Sequence, residues 1–108
     1  MSYTPTPTGE DVASFLGQGD IEQVVALAEE HVAIITALAR SYTRDNGFTS
    51  DGTAREDICA VITAATARLV ANPEQIHYSA GAQRLSGGFK GWSLAEQIVL
   101  NRYRRRSA

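Results

Sequence analysis

The sequence predicts an all-α fold: a small helical bundle with a short leading helix, three main helices, and a long loop or β-hairpin before the last of them. Three observations predict it. Apolar residues recur at helical period along two long stretches, Ile21 to Tyr42 and Ile58 to Leu69. Polar pairs with capping-box spacing precede apolar runs at Thr53 and Glu56 and at Ser93 and Glu96. The helix-stopping groups, Asp45-Asn46-Gly47 and Asn72-Pro73, fall between the periodic stretches rather than inside them.

Taken in order, residues 1–8 are rich in Thr and Pro and are expected to form a flexible segment, extended or disordered, ahead of one helical domain over residues 9–106. Thr8 then caps a short helix with Asp11 at its third position and Val12, Phe15 and Leu16 on its apolar face. Gly17-Gln18-Gly19 stops it, and Asp20 is the expected cap of the next helix.

That helix carries Ile21, Val24, Val25, Ala28, Val32, Ile35, Leu38, Ala39 and Tyr42 on one stripe and Leu27, Ile34 and Ala37 on a second. Two apolar stripes mean burial on more than one side. Unbroken from Ile21 to Asn46 it would be about 39 Å long at 1.5 Å per residue, enough that a neighbouring chain is expected to cover part of it. Thr53 and Glu56 open the following helix, which buries Ile58, Val61, Ile62, Ala65 and Leu69 and is rich in alanine, permitting close approach. Pro73 ends it.

Residues 74–92 lose the helical period, and nineteen residues is long for a passive loop. Ser93 and Glu96 then cap a last helix with the apolar stripe Leu94, Ala95, Ile98, Val99 and Tyr103. Its final turn is expected to hold Arg102, Tyr103, Arg104, Arg105 and Arg106.

Composition bounds the function. The chain is 108 residues long, 44% hydrophobic and 20% charged, which suits one globular domain burying roughly two-thirds of its unfolded surface. No apolar run reaches the ~18–20 residues of a membrane span, and the first residues lack a signal-peptide pattern. The single Cys59 cannot form an internal disulfide, which suits folding in a reducing cytoplasm. Net charge is −2 but unevenly placed. Residues 1–57 hold three arginines against ten acids, a net −7, while residues 58–108 hold seven cations against two acids, a net +5. Such halves suit charge-complementary contacts between subunits or with a partner.

No catalytic or metal-binding constellation stands out. His31, His77 and Cys59 lack the spacing of a zinc site, and Glu29-Glu30 and Glu56-Asp57 point in different directions around a helix. Gly87-Gly88-Phe89-Lys90-Gly91 lacks the Gly-Lys-Ser/Thr ending of a phosphate loop. No cofactor or enzymatic activity is expected. The arginine cluster is the one candidate site. Arginines can neutralise nucleic-acid phosphates, complement the negative end of their own helix, or form protein interface ion pairs. The acidic balance of the whole chain favours a protein contact.

A family likeness runs along most of the chain, over residues 10–106. Tyr42-Thr43-Arg44 with Gly47-Phe48, Asp57-Ile58 with Ala60-Val61-Ile62, Ala67-Arg68-Leu69-Val70-Ala71-Asn72-Pro73-Glu74-Gln75, and Gly91-Trp92 with Leu94-Ala95-Glu96 and Val99-Leu100-Asn101-Arg102-Tyr103-Arg104 carry it. In their order and spacing these segments resemble the head-to-tail connector (head-completion adaptor) proteins of long-tailed bacteriophages, particularly those of actinobacterial hosts.

The resemblance implies a non-enzymatic virion protein of the head–tail neck, assembled in the host cytoplasm as a ring, usually of twelve copies. Its implied partners are other copies of itself, the portal protein, the next connector, stopper or tail protein, and genomic DNA passing through the channel without sequence readout. No membrane is involved. On this reading Arg102, Tyr103, Arg104, Arg105 and Arg106 meet the portal, and Tyr78, Arg84, Phe89, Lys90 and Trp92 face the channel or the next ring. The rival reading is a small nucleic-acid-binding helical module that uses the same arginines.

Overall fold

In a computed structural model of the protein, residues 2–71 and 91–104 are described. They form a strand β1 (Tyr3–Pro5), helices α1 (Gly9–Phe15) and α2 (Glu22–Thr43), a strand β2 (Thr53–Arg55), and helices α3 (Glu56–Ala71) and α4 (Leu94–Asn101). The protein is a small, mostly helical bundle, as the sequence predicts. No helix among the described residues is long and apolar enough to cross a membrane.

The centre of the bundle is α3. Eight of its sixteen residues are buried, among them Ile58, Val61, Ile62, Ala65 and Leu69. Helix α2 lies against it through Ala28, Val32, Ile35 and Ala39, one line at i, i+4, i+7 and i+11. Alanines on both helices let the backbones approach closely. Ile35, Ile58 and Ile62 are wholly buried, each contributing about 1.5–3 kcal/mol through the apolar surface withdrawn from water.

Helix α1 crosses this pair. Thr8 and Asp11 form the capping box, with the Asp11 amide donating to Thr8 Oγ1 at 3.1 Å and the Thr8 amide to Asp11 Oδ2 at 2.9 Å. Gly9 sits so close to α2 that a Cβ there would lie 2.6 Å from the Glu29 backbone nitrogen. Its own amide donates to Glu29 Oε1 at 2.8 Å. Phe15, expected on the inner face, is 64% exposed. The line that faces inward is Gly9, Val12, Ala13 and Leu16, and Phe15 falls to one side of it.

The N-terminal segment is extended, one of the two expected states, and it is paired. Residues 3–5 are not a loose tail but a strand, antiparallel to β2 with Tyr3 opposite Arg55, Thr4 opposite Ala54 and Pro5 opposite Thr53. This pairing also displaces the expected Thr53–Glu56 capping box. Thr53 is drawn into the strand, where its hydroxyl meets the Thr49 hydroxyl at 2.7 Å and donates to the Asp51 carboxylate at 3.2 Å. The first amide of α3, on Glu56, donates instead to the Ser2 carbonyl at 3.1 Å. A long-range partner thus satisfies a helix-terminal donor that the local sequence offers to a side chain.

Two further boundaries differ. Helix α2 begins after Ile21, which has extended backbone and makes no side-chain cap, so Asp20 does not cap it. At its other end α2 stops at Thr43, giving about 33 Å rather than 39 Å. Arg44 there turns left-handed (φ 59°), its amide donating to the Ser41 carbonyl at 3.2 Å and that of Asp45 to the Arg40 carbonyl at 2.8 Å. These two bonds are the pattern of a Schellman stop.

Candidate interaction surface

Helix α4 is eight residues long, too short to be stable alone, and five ties fix it to the bundle. Ser93 and Glu96 form the predicted capping box: the Ser93 amide donates to Glu96 Oε1 at 2.8 Å and the Glu96 amide to Ser93 Oγ at 3.2 Å. The other Glu96 oxygen accepts from Arg68 of α3 at 2.7 Å, and Arg68 also donates to the Gly91 carbonyl at 3.1 Å. Leu100 is wholly buried. Tyr42 donates its hydroxyl to Asn101 Oδ1 at 2.7 Å. Tyr103 donates to both Asp57 oxygens, at 2.8 and 3.1 Å.

These ties rotate the face that the sequence assigns to the core: Val99 and Tyr103 pack inward as expected, while Leu94, Ala95 and Ile98 do not. The inward line is Glu96, Val99, Leu100 and Tyr103, at i, i+3, i+4 and i+7. Leu94 and Ile98, expected to be buried, are 75% and 58% exposed. The physical reason is Glu96. With Arg68 and the Ser93 amide as partners its carboxylate can be buried, and the neighbouring apolar residues then turn outward.

The arginine end is also placed differently from the final helical turn the sequence suggests. The helix closes at Asn101, and Arg102 is its C-cap. Arg102 lies 3.5 Å from Asp57 and keeps 59% of its side chain exposed. The Arg104 guanidinium stacks over the Tyr42 ring, 4.7 Å from its centroid. Tyr103 is turned inward. Burial, and then its bond to anionic Asp57, push its phenol above the usual tyrosine range. Among the described residues of the cluster, Arg102 and Arg104 are therefore the ones that face outward. Trp92 is half-buried against Tyr42, ring centroids 6.5 Å apart. Arg105, Arg106, Tyr78, Arg84, Phe89 and Lys90 lie outside the described residues.

A second exposed apolar strip lies on α2. Ile34 is 52% and Leu27 36% exposed, and Glu30, Ala33 and Ala37 are exposed beside them. This is the second stripe of the sequence, and the described residues do not bury it. Acids prevail along this part of the chain: residues 2–39 contain six acids and no Lys or Arg, and the first cation is Arg40, one turn beyond Ala37.

The remaining features offer less. Among the described residues no group of three or more His, Cys, Asp or Glu side chains could hold a metal ion. A cleft of about 330 Å³ between the ends of α1, α2 and α3 is lined by Leu16, Gln18, Val24, Leu27, Val70 and Ala71, with Gln18 the single polar side chain among the described residues that line it. Both ring nitrogens of His31 are buried without a hydrogen-bond partner. Cys59 is half-buried beneath β1, and burial raises its thiol above the usual range. Comparison with protein-family models, curated proteins and solved structures finds no match for this chain.

Proposed function

We propose that this chain is a virion structural protein, a head–tail connector adaptor that assembles as a ring, in the manner of the dodecameric adaptors it resembles, beneath the portal. It would extend the DNA channel and offer a docking surface to the next connector or tail component. It would reside in the neck of the virion and be assembled in the host cytoplasm. The observation that carries the reading is the pair of exposed apolar strips, Leu94–Ile98 on α4 and Leu27–Ile34 on α2, on a bundle with an acidic front and an arginine end. Large exposed side chains on rigid helices fit a protein made to be covered by neighbours.

The arginine end is the proposed portal contact, with Arg104, Arg105 and Arg106 facing the portal, Arg102 at the margin of that contact and Tyr103 holding the turn in place. Because Asn101 and Tyr103 are tied into the bundle, the role is best tested by charge reversal rather than truncation. A variant with Arg104, Arg105 and Arg106 all changed to Glu should lose co-sedimentation with portal rings from the same genome while keeping its helical circular dichroism. Normal co-sedimentation of that variant would refute the portal role. Duplex DNA mixed with wild-type chain at low salt tests the nucleic-acid-binding alternative, which requires a salt-dependent shift.

A further inference from the structure

We propose that the outer face of α4 in one copy of this chain packs antiparallel against the outer face of α2 in a second copy, with Leu94 over Ala37, Ile98 on Ile34 and Arg102 beside Glu30. The inference rests on the ring reading for the statement that copies meet, and adds which faces meet.

The register follows from helix geometry. Leu94, Ile98 and Arg102 stand at intervals of four on the exposed side of α4. Glu30 and Ile34 stand four apart on the exposed side of α2, with Ala37 three further on. Four residues rise about 6 Å along a helix. With Ile98 set on Ile34 and the helices antiparallel, the step from Ile98 to Arg102 matches the step from Ile34 to Glu30. The opposite step carries Leu94 to Ala37, whose small side chain leaves room for it. The aliphatic stem of Arg102 then passes over Leu27, one turn before Glu30.

Charge selects a second copy as the occupant. The α2 strip lies in the stretch 2–39, which has acids and no Lys or Arg, and Glu30 forms no ion pair with any described residue. The α4 strip ends in Arg102 with Arg104 close behind. One chain therefore carries both halves of a complementary contact. Pairing two α4 faces about Ile98 would set Arg102 over Leu94 and leave Glu30 without a cation. The contact is thus heterologous: each copy uses α4 towards one neighbour and α2 towards the other, as a closing ring requires.

The test uses the full chain with Cys59→Ala as background. Ile98→Cys and Ile34→Cys proteins, mixed in equal amounts and oxidised, should give a disulfide-linked dimer that neither gives alone. In sedimentation, Glu30→Arg should weaken self-association at least about tenfold, and adding Arg102→Glu should restore it. All four positions are exposed, so thermal midpoints should stay near wild type and confirm folding. Absence of the mixed disulfide in associated protein, or undiminished association of Glu30→Arg, overturns this contact and leaves the ring reading standing. A chain that stays monomeric at every concentration and also in the presence of portal rings overturns both.

Discussion

The ion pair between Arg68 and Glu96 gives the sharpest test of how α4 is held. The two partners are unequally buried: the Glu96 side chain is 8% exposed and that of Arg68 35%. Arg68→Ala leaves the buried carboxylate with only the Ser93 amide, whereas Glu96→Ala leaves a guanidinium that water can reach. Breaking a fully buried pair costs about 3–5 kcal/mol. Partial exposure of Arg68 screens this pair, so the lower end applies, about 3 kcal/mol for Arg68→Ala. Glu96→Ala loses less from the pair but also the reciprocal half of the capping box, about 2 kcal/mol together. At about 5 °C per kcal/mol for a domain of this size, the melting temperature should fall by about 15 °C and about 10 °C respectively. The single tryptophan provides a local readout, since Trp92 lies just before α4 against Tyr42. Its emission should shift to the red in both variants before the far-ultraviolet helical signal falls. A loss below about 1 kcal/mol for Arg68→Ala, or a larger loss for Glu96→Ala than for Arg68→Ala, would refute the reasoning.

Three further outcomes follow from single groups. Tyr103→Phe removes a hydroxyl bonded to a carboxylate and should destabilise the protein by about 1.5 kcal/mol. Because the folded phenol is raised above its unfolded value, its contribution is fully present below about pH 10 and lost as pH rises through the folded value. Alkaline unfolding should therefore be shallower in Tyr103→Phe than in wild type. Thr66 is wholly buried, and its hydroxyl has no hydrogen-bond partner. Thr66→Val should raise stability by about 1 kcal/mol in urea denaturation, and a loss of that size would contradict the orphaned hydroxyl. Cys59 should react with a disulfide reagent at pH 8 more slowly than a free cysteine, because its thiol is half-buried under Thr4 and shifted upward by that burial. Deleting residues 2–5 should speed the reaction, and an unchanged rate would show that β1 does not shield it.

The sequence makes α2 and α3 legible because their apolar period runs for many turns, and the Thr8 cap and the Ser93 capping box form as read. The Thr53 box fails for a reason no local reading contains: its residues are claimed by a strand fifty positions earlier in the chain. The face of α4 is misread for a related reason. Apolar periodicity ranks Leu94 and Ile98 above Glu96 for burial, and it cannot see that Arg68, twenty-eight residues away, makes the carboxylate the better core residue. The exposed pair at the candidate surface therefore looks like core in the sequence. Tyr103 is the mixed case. It reads both as the last residue of the apolar stripe and, within a run of arginines, as a docking residue; its ring closes the bundle over Asp57 and contacts the hydrophobic core, as the stripe implies.

The same rotation of α4 bears on function. An eight-residue helix needs only a modest apolar face to stay on a bundle, and Leu94 and Ile98 turned inward would supply it. Here the inward face combines wholly buried Leu100 with a carboxylate held by an arginine and a serine cap, and a tyrosine–aspartate bond fixes the far end. Specific hydrogen bonds fix rotation about the helix axis more tightly than apolar contact, which is non-directional. Leu94, Ile98 and Arg102 are thereby held in one register before any neighbour arrives. A surface already ordered loses less side-chain and backbone freedom on association, so a small contact can suffice for binding. The α2 strip is ordered in the same sense, since Ile34 and Glu30 project from the middle of a 22-residue helix whose other side is locked to α3. Two rigid, complementary strips on one chain are better suited to repeated contact between identical copies than to the folding of a single one.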